Sequence, residues 1–440
     1  MIAFQTLLLG LVLGVQPVRL MVAPQVKSVE VRLDGTTIGA LAGEPWIVRC
    51  DFGESLHPHE LVVIARDGSG TEIGRVRQWV NMPRARAEAT LLLERGPQPN
   101  RVVAARLAWN EAKGAGPETV RATLDGKALT IKDPRHFELP PCDPKQAHVL
   151  SAELVFAEGR TARVDAVFGG DIGEEAKLDL TGVPLLLDPG HNPPSLQEIQ
   201  TWFRKDDRPL RVLGVEHGPF DVVLLLDQEA RTLLAREHGA KGGGAQFEGG
   251  AALPPQLLSF DRSGADDDRL FIAFGVPESF SGDDGSTHVV FPAYSPMDFV
   301  TSNVRPRLAN LVYASTVVGA PTLADAVASM GALVAANNRP RAVVVLLAGS
   351  PDDRSRITPS GARAYLGDLH VPLLVWSLTG AGVSDSWGTE EDVSTEGSLD
   401  KAARRLKGDL AAQRIVWLEG AHLPQRIRLA EGVKGAHLAP

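Results

Sequence analysis

Cysteine is nearly missing. The 440 residues contain two, Cys50 and Cys142, too few for a disulfide-rich scaffold or a four-cysteine zinc site. Dense basic stretches are missing as well: none exceeds Lys401–Arg405, and the formal net charge is −9. Together these exclude a dedicated nucleic-acid binder. Beyond residue 25 no apolar run approaches the about 20 residues of a membrane span. The strongest are Val222–Leu226 and Val343–Leu347, so no transmembrane span is expected in the mature chain. There is no Gly-x-Ser-x-Gly elbow, no His-Glu-x-x-His and no Rossmann glycine fingerprint. The glycine-rich stretches Gly239–Gly250 and Ser281–Ser286 lack the strand, helix and Lys-Ser/Thr pair of a phosphate-binding loop. What is abundant is glycine and proline, 44 and 31 residues. That density demands frequent turns and argues against an all-helical fold. With 44% hydrophobic and 22% charged residues, the composition is globular, and the length implies two or three domains.

Residues Ala3–Val15 form an apolar stretch broken by Gln5, Thr6 and two glycines. Its length suits a signal-peptide core, although no Lys or Arg precedes it. Val18, Leu20 and Val22 alternate with other residues, which also reads as a buried first strand. The expectation is a signal peptide over 1–24 and export to a periplasmic or extracellular location.

From Val29 to about Gly170 the chain alternates with period two, punctuated by Gly, Pro and Asp. Val29–Leu33 leads into Asp34-Gly35, a hairpin turn signal. Glu60–Ala65 and Arg75–Val80 follow as strands. The same order recurs at Val120–Leu124, Asp125-Gly126, His148–Leu154 and Arg163–Phe168. The spacing between equivalent markers (Asp34 and Asp125, His59 and His148, Arg75 and Arg163) stays near 90 residues. So regular an offset points to a duplicated module, and the strand density is that of an immunoglobulin-like sandwich. The expected modules are 25–95 and 96–184. Cys50-Asp51 and Cys142-Asp143 fall at matching places, either as a bridge or as small buried residues on equivalent strands. His57 and His59 read as loop and strand-edge residues.

After a proline-rich linker at 185–208, the pattern changes to alternating strand and helix over 209–440. Phe220–Leu226, Arg269–Val276, Thr287–Phe291, Arg341–Leu347, Val371–Leu378 and Arg414–Leu418 read as buried strands. Leu323, Val327, Met330 and Val334 recur at helical spacing, and further helices are expected at about 359–369 and 397–412. This is the grammar of a doubly wound, Rossmann-like α/β sheet, with its ligand crevice at the C-terminal strand ends. Trp376, Trp387 and Trp417 read first as core and near-core anchors, with Trp387 the best candidate among them for an exposed aromatic.

This second half resembles a von Willebrand factor A (VWA) domain, in particular the bacterial VWA-related proteins in which β modules precede it. The residues that carry the likeness are Asp221–Asp227, Thr322–Val327, Arg341–Leu347 and Val371–Trp376, with Val31–Gly35 and Ala166–Gly170 in the β modules. The resemblance implies a Mg²⁺ held by an Asp-x-Ser-x-Ser loop, a Thr and a second Asp, the oxygen set a hard cation requires. Asp227 and Thr322 match as residual metal candidates. Glu229 and Arg231 stand where the serines belong, Ala348-Gly349 replace the second Asp, and Asp352 and Asp353 come late. No metal is therefore expected, neither Mg²⁺ nor Ca²⁺, and no cofactor. Asp227 and Thr322 have alternative roles as helix N-caps.

Leu185–His191 resembles the strand-to-loop motif of zinc-dependent N-acetylmuramoyl amidases, with His191 as a ligand and Glu198, Glu216 and His217 as companions. Asn192, Pro193 and Pro194 depart from that motif and suit a linker. The acidic runs Asp266–Asp268 and Asp283-Asp284 read first as solvated loops. The leading expectation is an exported, non-enzymatic binding, adhesion or scaffold protein with an unidentified protein partner and a degenerate metal-ion site. Recognition is expected around Asp227, Glu229, Gly282–Ser286, Thr322, Asp352 and Asp353. The alternatives are a cell-wall amidase and a purely structural envelope subunit.

Overall fold

The computed structural model describes the chain except residues 1, 7, 9, 23, 84–86, 96–101, 112–116, 157–160, 171–179, 192, 242–267, 282–286, 292, 294–295, 314–318, 381, 383–384 and 440. The first β unit contains β1 (Ile2–Phe4), β2 (Val15–Val22), β3 (Ser28–Leu33), β4 (Thr36–Leu41), β5 (Ile47–Asp51), β6 (His59–Arg66) and β7 (Glu72–Val80). These pair as two antiparallel sheets, β1-β2-β5 and β4-β3-β6-β7. The second unit repeats the arrangement with β8 (Ala87–Arg95), β9 (Val102–Glu111), β10 (Thr119–Leu124), β11 (Lys127–Leu129), β12 (Phe137–Glu138), β13 (His148–Val155) and β14 (Thr161–Phe168). Its sheets are β12-β9-β8 and β11-β10-β13-β14, the same order strand for strand. Both units are immunoglobulin-like sandwiches, closed around alternating inward residues such as Val29, Val31, Leu61 and Val63 in the first and Leu124, Leu150 and Leu154 in the second.

The repeat has a physical cause at its turns. Asp34 and Gly35 take φ 52° and 87°, and Asp125 and Gly126 take 50° and 76°, the two left-handed residues of a type I′ hairpin turn. Each aspartate then ties the turn to the neighbouring strand. Asp34 Oδ1 accepts from the Glu60 amide at 2.9 Å and Oδ2 lies 2.7 Å from His59 Nδ1. Asp125 does the same with the Val149 amide and His148, again at 2.9 and 2.7 Å. The cysteines do not match in this way: Cys50 is buried on β5, whereas Cys142 is half-buried beyond β12, and no disulfide joins them.

Two expectations fail here. Residues 1–24 include β1 and β2, and Val18 and Leu20 are 1% and 5% exposed in the sandwich core. Cleavage before residue 25 would strip two of the three strands of one sheet, so the first module includes these residues, and export loses the support drawn from them. The alternation of Val18, Leu20 and Val22 was the informative signal. Likewise 185–208 is not a free linker. It belongs to a third β unit made of β15 (Leu180–Leu187), α1 (Leu196–Ile199), β16 (Phe203–Lys205), β17 (Arg208–Pro209) and β18 (Val212–Glu216). The C-terminal strands β27 (Gln413–Glu419), β28 (Ile427–Leu429) and β29 (Ala436–Leu438) complete it as sheets β18-β27-β15-β29 and β17-β16-β28. Arg414–Leu418 is thus a buried strand in a different sheet from the one expected.

The α/β domain lies between. It comprises β19 (Asp221–Leu226), α2 (Gln228–Lys241), β20 (Arg269–Phe274), the hairpin β21 (Glu278–Ser281) and β22 (Thr287–Val290), β23 (Met297–Asp298), α3 (Val304–Tyr313) and α4 (Leu323–Ala335). Then follow β24 (Arg341–Leu347), α5 (Pro359–Asp368), β25 (Leu373–Ser377), β26 (Glu390–Asp392) and α6 (Glu396–Ala412). The sheet order is β23-β20-β19-β24-β25-β26, all parallel except β23. Counted within this sheet the order is 3-2-1-4-5-6, that of a doubly wound fold. Alternate residues of β19 serve two cores: Val222, Leu224 and Leu226 pack with α2, α3 and α6, and Val223 and Leu225 pack with α4 and α5. Burial on both faces explains the continuous apolar run. The segment Thr287–Phe291 differs from expectation, since among the described residues β22 pairs with β21 in a separate hairpin and not with the parallel sheet. Trp387, read first as a core or near-core anchor and also as the best candidate for an exposed aromatic, is 1% exposed in the α4–α5 core.

Candidate functional site at the C-terminal sheet edge

In a doubly wound sheet the crevice opens where the strand order reverses, here between the carboxyl ends of β19 and β24. Asp227 follows β19 directly. Its amide donates to Leu346 O at 3.1 Å, and its Oδ1 accepts from the Ala230 amide as the N-cap of α2. The second oxygen, Oδ2, is buried and makes no hydrogen bond. Burial lifts the Asp227 carboxyl to about 7, the neighbouring Glu229 charge adds to the rise, and the amides of Ala230, Ala348 and Glu229 oppose it. The Glu229 carboxylate lies against Gly349, where any Cβ would collide with it. Arg231 turns away to stack over Phe274, 5.4 Å from the ring centre.

Thr322 reaches the same edge through its amide, which donates to Gly275 O at 2.7 Å, while Gly275 N donates to Leu226 O at 3.4 Å. It precedes α4, yet its hydroxyl makes no cap bond and Oγ1 is buried without a partner. The cap comes from another loop. Asp353 accepts from the Leu323 amide at 2.8 Å and the Ala324 amide at 3.1 Å, and Ser355 Oγ accepts from the Asp325 amide at 3.0 Å. Asp352 projects outward, its side chain 80% exposed with Arg354 at 3.6 Å. The edge therefore gathers Asp227, Glu229, Thr322 and Asp353 and leaves Asp352 in solvent. Gly282–Ser286, Asp266, Asp267 and the acidic pair 283–284 lie outside the described residues.

The residues present do not compose a divalent-cation cage. Asp227 Oδ2 and Thr322 Oγ1 are spare oxygens, but both Asp353 oxygens are taken by helix amides. Among the described residues no three His, Cys, Asp or Glu side chains converge for a metal. The amidase set is not assembled either. Glu198 closes a capping box with Ser195, Glu216 pairs with Arg163 at 2.6 Å, and His217 Nε2 lies 3.2 Å from Ala411 O. His191 is exposed and packs against Gly435.

A feature invisible to the sequence reading adjoins this edge. The first sandwich is seated on α5: Tyr365 OH donates to Asn81 O at 2.8 Å, and His57 Nδ1 lies 2.6 Å from Asp368 Oδ2. Leu56 enters the α4–α5 core, and Arg426 donates to Asp34 O at 3.0 Å. Beside this seat opens a cleft of about 590 Å³. Leu11, Trp79 and Met82 of the first sandwich face Thr322, Leu333 and Arg354 of the α/β domain across it. The residues of its two walls are at least 195 positions apart, from Met82 to Pro277, so no local pattern could have announced it.

A scan against protein-family models finds no match, and no curated protein matches either. Solved structures similar to the chain include the fibronectin(III)-like modules of Clostridium thermocellum CbhA, at 13% identity, 40% of this chain, 98% of that chain and a TM-score of 0.16. The central fibronectin-III array of RIM-binding protein is similar at 12% identity over 49% of this chain and 80% of its own, TM-score 0.19. A 1.5-MDa bacterial ice-binding adhesin is similar at 13% identity over 40% of this chain and 62% of its own, TM-score 0.16. Likeness at that level carries no argument about function, and the sandwich assignment rests on strand pairing. Among the described residues no helix is long and apolar enough to cross a membrane.

Proposed function

We propose that the chain is a non-enzymatic binding or scaffold protein whose α/β domain is VWA-like with a degenerate metal-ion site. The observation that carries this reading is the cleft between the first sandwich and α4, which reaches the C-terminal sheet edge at Thr322. Clefts between domains are preferred ligand positions. The strand order with one antiparallel edge strand agrees with the VWA resemblance. The dispersal of Glu198, Glu216 and His217 favours binding over amidase chemistry. The test is affinity capture from a native lysate with the full chain and with Ser329→Trp, which places a bulky ring in the cleft. The expected result is a partner retained by the native protein and lost by the variant. Identical capture by both proteins, or zinc retained by the native protein and released by His191→Ala, would overturn the proposal.

A further inference from the structure

The arginines of the first sandwich divide by sheet. On β3, β6 and β7 each has a carboxylate: Arg32 lies 2.7 Å and Arg66 3.3 Å from Glu30, Arg75 3.0 Å from Glu72 and Arg77 3.4 Å from Glu60. On the opposite sheet, β1-β2-β5, Arg19 and Arg49 are exposed, and among the described residues neither makes an ion pair. Strand register sets these two side by side. Arg19 faces Ile47 and Arg49 faces Pro17 across β2 and β5, so the arginines are diagonal neighbours about 7–8 Å apart on one surface. Like charges so placed repel each other. The one acid in that register is Asp51, opposite Val15 at the end of the face, where its Oδ1 accepts from the Gly53 amide at 2.9 Å.

The same surface carries apolar side chains that the core leaves out. Of the large apolar residues exposed among the described ones, Val15, Met21, Ile38, Ile47 and Ile73 belong to the first sandwich and Leu196 to the third β unit. Val15, Met21 and Ile47, at 46%, 55% and 38% exposed, share the outer face of β2 and β5 with Pro17. Their strand neighbours Val18, Leu20, Val48 and Cys50 turn into the core. The seat on the α/β domain and third unit leaves this face free, since it engages Asp34, Leu56, His57, Pro58 and Asn81. Exposed apolar side chains interleaved with unpaired arginines have the composition of a recognition surface.

We propose that this face docks an extended acidic segment of a protein partner along β2 and β5, with a carboxylate set between Arg19 and Arg49 and apolar side chains against Met21 and Ile47. The inference goes beyond the cleft and does not rest on it. Guanidinium forks match carboxylates in a bidentate way, and a carboxylate between the two arginines relieves their repulsion. Strand β2 has eight residues and so spans about 26 Å. A strip of that length and two strands wide suits one extended segment, and falls short of the about 800 Å² per partner of a standard interface between folded proteins. An anionic membrane fits less well, because lipid head groups are read by clusters of about 4–8 basic residues and the chain has a formal charge of −9.

The probe is a 12-residue random peptide library displayed on phage and selected on the full chain, with affinities of the enriched peptides measured by fluorescence anisotropy. The expected enrichment is Asp or Glu within a few residues of an aromatic or aliphatic side chain. The Arg19→Glu/Arg49→Glu double variant should bind those peptides about tenfold more weakly, and Met21→Ser/Ile47→Ser about fivefold more weakly. Arg19→Gln/Arg49→Gln, which removes the charge without reversing it, should also bind more weakly and should melt at the native temperature. Ser329→Trp, which fills the cleft, should bind them as the native chain does. No enrichment, enrichment of neutral or basic peptides, or unchanged affinity in both arginine variants would overturn the proposal. Loss of binding in Ser329→Trp, or competition by phosphatidylserine vesicles, would overturn it as well, moving the contact to the cleft or to a membrane. Failure here is distinct from failure of the cleft reading: a lysate partner lost by Ser329→Trp belongs to the cleft, and one lost by Arg19→Glu/Arg49→Glu belongs to this face.

Discussion

The two ends of the parallel sheet are built in opposite ways. At the N-terminal end, Asp221, Arg269 and Arg341 open β19, β20 and β24 side by side. Asp221 is fully buried, held by Arg269 at 2.8 and 2.7 Å, Asn337 at 2.8 Å and Arg339 at 3.3 Å. Arg339 also bonds Glu153 of the second sandwich, which lies 3.3 Å from Arg269 as well. These guanidiniums hold the Asp221 and Glu153 carboxyls below their ordinary range against the opposing effect of burial. At this end the charges are turned inward and the second sandwich is fastened over them, with Arg341 Nε and Glu153 Oε1 the buried atoms that make no hydrogen bond. At the C-terminal end Asp227 Oδ2 and Thr322 Oγ1 are spare, and Arg354 and Arg356, paired with Asp352 and Asp325 at 3.6 Å, line a cleft. A buried charge with its partners in place serves the fold, whereas unspent polar capacity is available to a ligand.

The sharpest way to break this contrast is Asp221→Ala. It leaves Arg269 and Arg339 buried without one of their carboxylate partners, and breaking a buried ion pair from one side costs about 3–5 kcal/mol. Urea denaturation should show a loss of that size. A loss below about 1 kcal/mol would mean that the N-terminal end is no more tightly bound than its opposite.

Asp227→Asn should act in the other direction and only at high pH. The folded carboxyl sits near 7 against 3.8 when free. Between those values the folded state holds a proton that the unfolded state has lost, so stability falls as pH rises from 4 to 7 and levels off above. Three pH units correspond to about 4 kcal/mol at most. Asparagine keeps the N-cap and cannot ionise, so the variant should gain stability at pH 8 and match the native protein at pH 4. Denaturation midpoints at the two values check the sign; equal effects at both would show that burial does not disfavour the ionised form.

Thr322→Val is smaller still. It removes a hydroxyl that makes no hydrogen bond and keeps the shape, so stability should hold or rise by less than about 1 kcal/mol. A clear loss in thermal melting would place an undescribed partner on Oγ1.

How far these ends were legible in the sequence follows from the range of the interactions. Strand β19 was readable because burial on both faces demands an unbroken apolar run, and the Asp34 and Asp125 turns because type I′ geometry demands Asp-Gly. Asp227 was legible as a cap because capping is local. Asp353, by contrast, caps a helix that begins 30 residues before it, so its role looked like a displaced metal ligand. Glu153 and Asp221 lie in different domains, and nothing near either announces the other. Residues 1–24 show the remaining limit, since an apolar strand pair and an export core share a composition and differ only in the period of burial.

The faintest expected effect concerns Mg²⁺, and it decides whether the spare oxygens at the C-terminal end serve a cation or a different ligand. The measurement must be made above pH 7, because below it the buried Asp227 carboxyl is protonated and cannot act as an anionic ligand. A site with a dissociation constant of about 1 mM would gain about 1.4 kcal/mol in about 10 mM Mg²⁺, which is a shift of about 2–4 °C for a domain of this size. With Asp353 committed to the amides of α4 and Glu229 packed on Gly349, the expected shift at pH 8 is under 1 °C, the same in the native protein and in Asp227→Ala. A larger rise abolished by that substitution would turn the spare oxygens into a cation site, and the contrast between the two ends would become one between two kinds of charge compensation.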